Sequence, residues 1–199
     1  MGTWLAPDTP ASIVVMALVP ALWISWLIYW ALSARNVKRN EWRESFATQL
    51  IHKTPLMLAA LFLAAPKILP RALDRRFMPA GGPLALLGPL LVAGGLGLAV
   101  WARRHLGRNW SASVVVKEGH ALIRTGPYRH VRHPIYTGII LAFAGTALFI
   151  GEWRALVALP LVVLSFVIKS RMEEGRMRKT FAEYEQYRRE TAALVPFVY

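Results

Sequence analysis

The sequence predicts an all-α integral membrane protein of about five transmembrane helices, with a cytoplasmic motif loop and an amphipathic C-terminal helix. Hydrophobic residues make up 55% of the 199 and charged residues 18%, yet 24 Lys and Arg face 11 Asp and Glu, a net charge of +13. Strong apolar and strong basic character coexist when apolar residues form long blocks with the basic residues between them. Five charge-poor stretches supply the blocks, and the basic residues sort unevenly among the segments that join them.

The first stretch, Ser12 to Ser33, has no charge and would extend roughly 33 Å as a helix, enough for a hydrocarbon core of about 30 Å. The segment before it holds Asp8 and no Lys or Arg, so it reads as a retained span rather than a cleaved leader. Trp26, Tyr29 and Trp30 near its end suit a membrane interface. The second stretch, 55–69, is short and carries Lys67. A snorkelling lysine and an amphipathic extension back toward Thr48 would let it span. The third, 83–102, contains Gly94, Gly95, Gly97 and Ala99. No strand precedes this glycine run, so it predicts close helix packing rather than a phosphate loop. The fourth, 135–150, has Gly138 and Ala142 on one face, and the fifth runs over 155–168. "GEWR" between them is a tight turn, predicting an antiparallel helical hairpin.

The basic residues then set an orientation. Segments 34–54, 103–134 and the tail 169–199 hold most of them, while 67–76 and Arg154 hold the rest. The positive-inside rule puts the N-terminus outside and the C-terminus in the cytoplasm. Arg and Ala/Leu richness adds a compositional hint of a bacterial inner membrane. The four basic residues in 67–76 run against the trend. The whole chain, 1–199, reads as one domain, with no signal of oligomeric state.

Chemistry is expected in the loop 103–134 and the tail 169–199. The loop has a β-branched run at Val114, Val115 and Val116, turns at Gly119 and Gly126-Pro127, and then Tyr128, Arg129, His130, Arg132 and His133 just before the fourth span. It predicts a compact extended element on the membrane surface. The tail continues the fifth span as a charged amphipathic helix in which Met172, Phe181, Tyr184 and Tyr187 recur at near-helical spacing. Glu173 and Glu174 lie just past the membrane exit. With no cysteine, disulfides, thiolate metal sites and cysteine nucleophiles are excluded. Three histidines, His120, His130 and His133, raise a metal site, but no carboxylate stands at ligand spacing, so no metal is expected. Arg124, Arg129 and Arg132 read equally as a collar for anionic headgroups. The net charge does not imply nucleic acid, because no soluble basic domain carries it.

The string "GPYRHVRHPIYTG", Gly126 to Gly138, resembles the core motif of the isoprenylcysteine carboxyl methyltransferase and phospholipid methyltransferase superfamily. Downstream, Glu173-Glu174, Phe181, Tyr184, Tyr187, Leu194, Pro196 and Phe197 follow that family's tail in order. The resemblance covers about half the chain and implies methyl transfer from S-adenosylmethionine to a lipophilic or lipidated substrate at the membrane. It implies a cofactor pocket of Ser113, His120, Ala121, Leu122, Ile123, Tyr128, His133, Pro134, Ile135, Tyr136 and Glu173. The family's substrate-facing arginine falls on Lys169, with Arg171 nearby, and Lys is not an equivalent bidentate donor. Eukaryotic members have more spans, so their protein substrates are not carried over. The residues themselves fit the chemistry. Tyr faces suit a sulfonium or adenine, His can bond ribose hydroxyls, and Glu173 can bind an α-ammonium. The competing expectations are an NADPH-dependent membrane reductase of the steroid or sterol type and a non-catalytic membrane scaffold.

Overall fold

The computed structural model describes residues 10–34, 45–64, 70–79, 83–107, 110 and 122–196. These form α1 (Pro10–Ser33), α2 (Phe46–Ala64), α3 (Pro83–Leu106), α4 (Pro134–Ile150), α5 (Trp153–Thr180) and the short α6 (Tyr184–Glu190), with single 3-10 turns at Arg71–Asp74 and Gly126–Arg129. The chain is an all-α membrane protein. Val14–Ser33, Phe46–Leu63 and α5 are long and apolar enough to cross a bilayer, while α4 is apolar but shorter. Pro20, Pro55, Pro89 and Pro160 lie inside helices, which membrane spans tolerate because neighbouring helices re-satisfy freed backbone groups.

The tightest seam joins α3 to α4. A Cβ added to Gly88 would stand 2.7 Å from the Gly145 carbonyl, and one on Gly95 would stand 2.6 Å from the Ala142 nitrogen. The backbones touch where side chains are absent, as small-residue membrane packing requires. The expected glycine cluster is only half used: Gly95 and Ala99 meet α4, whereas Gly94 and Gly97 face open space. The α4–α5 hairpin is closed by Gly151, whose left-handed φ of 68° lets its N–H reach the Ala147 carbonyl at 2.9 Å. Glu152 then stands at the N-cap position of α5, its side chain turned to Arg154 rather than to the helix end.

Two expected boundaries move. The second stretch was expected over 55–69 with an amphipathic extension back toward Thr48; α2 begins slightly earlier, at Phe46, and is described to Ala64. Its first turns are polar, and α5 packs along the helix from His52 to Phe62. The Ser165 hydroxyl donates to the His52 carbonyl at 2.5 Å, and the Arg154 guanidinium donates to that of Phe62 at 3.0 Å. Those two contacts also show that α2 and α5 run antiparallel. The tail was expected as one helix, but α5 stops at Thr180 with extended backbone at Phe181, and Tyr184 and Tyr187 belong to α6. The near-helical spacing of the aromatics hid a break.

Trp26 and Trp30 pack inward on the bundle. They stack at 4.8 Å, Trp30 meets Trp110 edge-on, and all three pack on the central core. The Arg103 guanidinium lies over Trp110 and donates to the Ser33 carbonyl, tying the ends of α1 and α3 together. The bundle thus has two chemically distinct ends. At one, Arg75, Phe77 and the turn 151–153 exchange backbone hydrogen bonds, and Arg154 pairs with Glu152 at 2.6 Å. At the other lie the C-terminal ends of α1 and α3, the start of α4, the end of α5 and all of α6.

Candidate functional site

The described part of the motif loop is pinned to α3 before it reaches α4. The Gly126 backbone has φ 60°, and a Cβ there would meet the His105 ring at 2.6 Å, so glycine is needed for both conformation and space. The His105 imidazole bonds the Thr125 hydroxyl at 2.8 Å. Tyr128 is buried below, its hydroxyl 3.4 Å from the Ala102 carbonyl, and its own carbonyl accepts from the Tyr187 hydroxyl at 2.7 Å. Burial raises the Tyr187 phenol above its ordinary value, so it stays a neutral donor.

His133 and Pro134 then start α4. Pro134 occupies the first turn, where its missing N–H costs nothing, and His133 is the residue just before it. One turn on, Tyr136 stacks on His133 with rings 5.4 Å apart and 5° from parallel, and Phe166 of α5 stacks on its other face at 4.7 Å. The Tyr136 hydroxyl donates to Glu173 Oε1 at 2.5 Å, and His133 Nδ1 lies 3.3 Å from Glu173 Oε2. Both carboxylate oxygens of Glu173 are therefore engaged by α4. The Lys169 ammonium, one turn earlier on α5, sits 5.3 Å from the centre of the Tyr136 ring. His133, Tyr136, Lys169 and Glu173, from segments some forty residues apart, form one polar cluster at the end of an apolar bundle.

Glu174, next to Glu173 on α5, faces a different set of partners. It is buried, 8% exposed, with Arg132 Nε donating to its Oε1 at 2.7 Å and Arg188 Nε 3.4 Å from Oε2. His133 Nε2 lies 3.4 Å from the same carboxylate without hydrogen-bond geometry. The last described residues strap the start of α4 from outside. Arg132 N–H donates to the Ala192 carbonyl (2.9 Å), His133 N–H to that of Ala193 (3.0 Å), and the Thr137 hydroxyl to that of Leu194 (2.5 Å). Tyr184 and Tyr187 are buried docking aromatics, 2% and 3% exposed.

The remaining expected site residues fall elsewhere. Ile135 is buried and Ile123 half-buried against the core, with Leu122 half-buried beside it. Arg171 lies on the exposed side of α5, about 200° round the helix from Lys169. Ser113, His120, Ala121 and the run Val114–Val116 lie outside the described residues. The headgroup-collar reading fails for two arginines: Arg132 serves the tail, and Arg124 pairs with Glu190 and lies over the Tyr187 ring. Arg129 remains exposed. Arg132, Arg188 and Thr191 were missed as site neighbours because nothing in their spacing shows that the chain folds back.

Burial opposes charge on His133, but the Glu173 and Glu174 carboxylates together outweigh it and raise its pKa above the ordinary 6.5. A raised folded pKa gives stability that is complete below the unfolded value of about 6.5 and lost as pH rises through the folded value. The melting temperature should therefore fall as pH rises from below that value to well above it, and His133→Gln should flatten the slope. Equal slopes in both proteins would show that His133 is not part of this linkage.

Fold and site define a membrane protein with a buried acid–imidazole–tyrosine cluster at one end of an apolar helical bundle. The family model described as phospholipid methyltransferase matches residues 84–184, half of the chain, and the chain belongs to that family. The match covers α4, nearly all of α3, α5 and every residue of the cluster. Among curated relatives, the chain is 30% identical over 96 residues to protein-S-isoprenylcysteine O-methyltransferase of Schizosaccharomyces pombe, covering 46% of this chain and 41% of the relative. It is 33% identical over 117 residues to the Saccharomyces cerevisiae protein of that name, covering 57% of this chain and 49% of the relative. The chain thus spans less than half the length of these relatives.

Proposed function

We propose that this protein is an S-adenosylmethionine-dependent methyltransferase acting on a lipophilic acceptor at the membrane, an isoprenylcysteine-type carboxylate or a related lipid. The observation that carries the reading is the convergence of His133 Nδ1 (3.3 Å) and the Tyr136 hydroxyl (2.5 Å) on the Glu173 carboxylate, beside Lys169. Family membership supports it, as do the two yeast relatives, both named as isoprenylcysteine O-methyltransferases. We place the cluster on the cytoplasmic side of a bacterial inner membrane, with the N-terminus outside, from the charge distribution.

The residues present fit the cofactor. Glu173 offers an anionic partner for an α-ammonium, and its two oxygens are already oriented by His133 and Tyr136. The Tyr136 ring is held between His133 and Phe166, which fixes the hydroxyl that orients Glu173. Leu122, Ile123, Pro134 and Ile135 supply apolar wall, and Ser113, His120, Ala121 and Tyr128 complete the proposed cofactor set. When bound, S-adenosylmethionine supplies an electrophilic methyl group on sulfur, and an acceptor carboxylate oxygen forms the new bond as the carbon–sulfur bond breaks. A carboxylate is already ionised near neutral pH, so the protein need only orient and partly desolvate it. Lys169 is the group placed to hold that carboxylate, at the level where α5 leaves the apolar bundle.

Calorimetric titration of the purified protein with S-adenosylmethionine, and in parallel with NADPH, tests the reading. Saturable binding of the first and none of the second is expected. Methyl transfer should fall steeply as the acyl or prenyl chain of the acceptor is shortened. Binding of NADPH alone, or equal turnover of a tail-less analogue, would overturn the assignment.

A further inference from the structure

Arg132 stands one residue before the cluster and has been given no part in the chemistry. Its side-chain Nε and Nη1 both bond the tail. Its Nε donates to Glu174 Oε1 at 2.7 Å, and its Nη1 donates to the carbonyls of Arg188 (3.1 Å) and Thr191. Its backbone N–H donates to the Ala192 carbonyl, beside the Val131–Ala192 bridge. The guanidinium side chain is mostly buried, 8% exposed.

This arrangement answers a problem posed by the sequence itself. Glu173 and Glu174 are adjacent on α5, and both carboxylates come within 3.4 Å of a His133 ring nitrogen. Glu173 lies at Nδ1 and Glu174 at Nε2, so the two carboxylates share one imidazole, and an uncompensated Glu174 would draw it away from Glu173 and Tyr136. Arg132 on one oxygen of Glu174 and Arg188 near the other compensate that charge from outside. A planar fork suits the task, since it can hold a carboxylate and two carbonyls at fixed angles where an ammonium cannot.

Building on the functional reading above, we propose that Arg132 is a positioning residue for the cofactor site. It reserves Glu174 for the tail clasp, so that Glu173 alone is presented to the cofactor, and it makes cofactor affinity depend on docking of the 188–193 strap.

The test uses the full-length protein and S-adenosylmethionine. Arg132→Gln should raise the cofactor KM about tenfold while kcat changes less than about threefold, the loss of one charge-assisted contact felt through a neighbour. Arg132→Lys should restore little, because it keeps the charge but not the fork. Glu174→Gln with Arg132 intact should leave cofactor affinity within about threefold of wild type. The deciding variant is the double substitution Arg132→Gln with Glu174→Gln. Neutralising Glu174 removes the competitor, so the double variant should bind the cofactor more tightly than Arg132→Gln alone. A merely structural arginine predicts that the double variant is no better than the single one. Wild-type affinity in Arg132→Gln, or no recovery in the double variant, would overturn the proposal. If Arg132→Gln does not fold, Arg132→Lys with and without Glu174→Gln gives the same comparison. Failure of the wild-type protein to bind S-adenosylmethionine would sink the functional reading instead. The proposal is then decided by NMR of the His133 imidazole, which should shift on Arg132→Gln and much less when Arg132→Gln is added to Glu174→Gln; equal shifts in the two backgrounds would reject it.

Discussion

Glu173→Gln is expected to weaken S-adenosylmethionine binding about tenfold to a hundredfold while leaving a folded protein. The amide keeps the size of the side chain and can still accept from the Tyr136 hydroxyl, now 2.5 Å away, so packing against α4 survives. What disappears is the negative charge that pairs with His133 and that would meet the cofactor's ammonium. A hydrogen bond to a charged group contributes about 1.5–3 kcal/mol, which sets the expected range. Tyr136→Phe should cost less, since it removes one neutral donor that orients the carboxylate. His133→Ala should weaken binding by an intermediate amount and lower stability as well, because it strips a charged partner from Glu173 and a stacked ring from Tyr136. Calorimetric titration of each variant, paired with a melting curve, separates binding from folding. Cofactor affinity unchanged in both Glu173→Gln and Glu174→Gln would detach the tail from the pocket and remove the basis of the proposed site.

Much of this geometry was legible before the fold. Charge-free blocks announced the helices, because a span must be apolar along most of its length. "GEWR" announced the hairpin, because a glycine after an apolar run ends a helix in the left-handed conformation that Gly151 adopts. The convergence of His133, Tyr136 and Glu173 followed from the resemblance of two separated motifs. What stayed hidden depends on contacts between elements. The amphipathic extension toward Thr48 anticipated the start of α2 near Phe46, but not that α5 would pack along it through Ser165 and Arg154. The break at Phe181 was missed because Phe181, Tyr184 and Tyr187 keep a helical spacing across it. The division of labour between Glu173 and Glu174 could be taken only from the resemblance, which implies Glu173, and not from the residues themselves. Adjacent glutamates differ only in which way the helix turns them, and that rotation is set by Phe166 stacking on Tyr136 and by Arg132 gripping Glu174.

The same rotation decides between the two basic candidates for the acceptor, and it leads to the second large effect. Lys169 lies four residues before Glu173, one turn away on the same face, with its ammonium over the Tyr136 ring. Arg171 is two residues further on and exposed, on the other side of the helix. Lys169→Ala is therefore expected to lower turnover of a prenylated carboxylate acceptor about tenfold to a hundredfold, while cofactor affinity stays within about threefold. Truncation removes the partner of the acceptor's charge, and that charge must be held in line with the reacting methyl group during transfer. Arg171→Ala should retain turnover within about threefold, because its side chain leaves the cluster's face. Lys169→Arg discriminates further. If the acceptor is a carboxylate, a fork at this position can bind it bidentately and should sustain or raise turnover. If the acceptor is an amine, a cation at 169 repels its protonated form. Lys169→Ala would then leave turnover unchanged or increase it, and the proposed acceptor class would have to change from carboxylate to amine. Steady-state kinetics of the three variants, with the acceptor varied at saturating cofactor and the reverse, gives the answer.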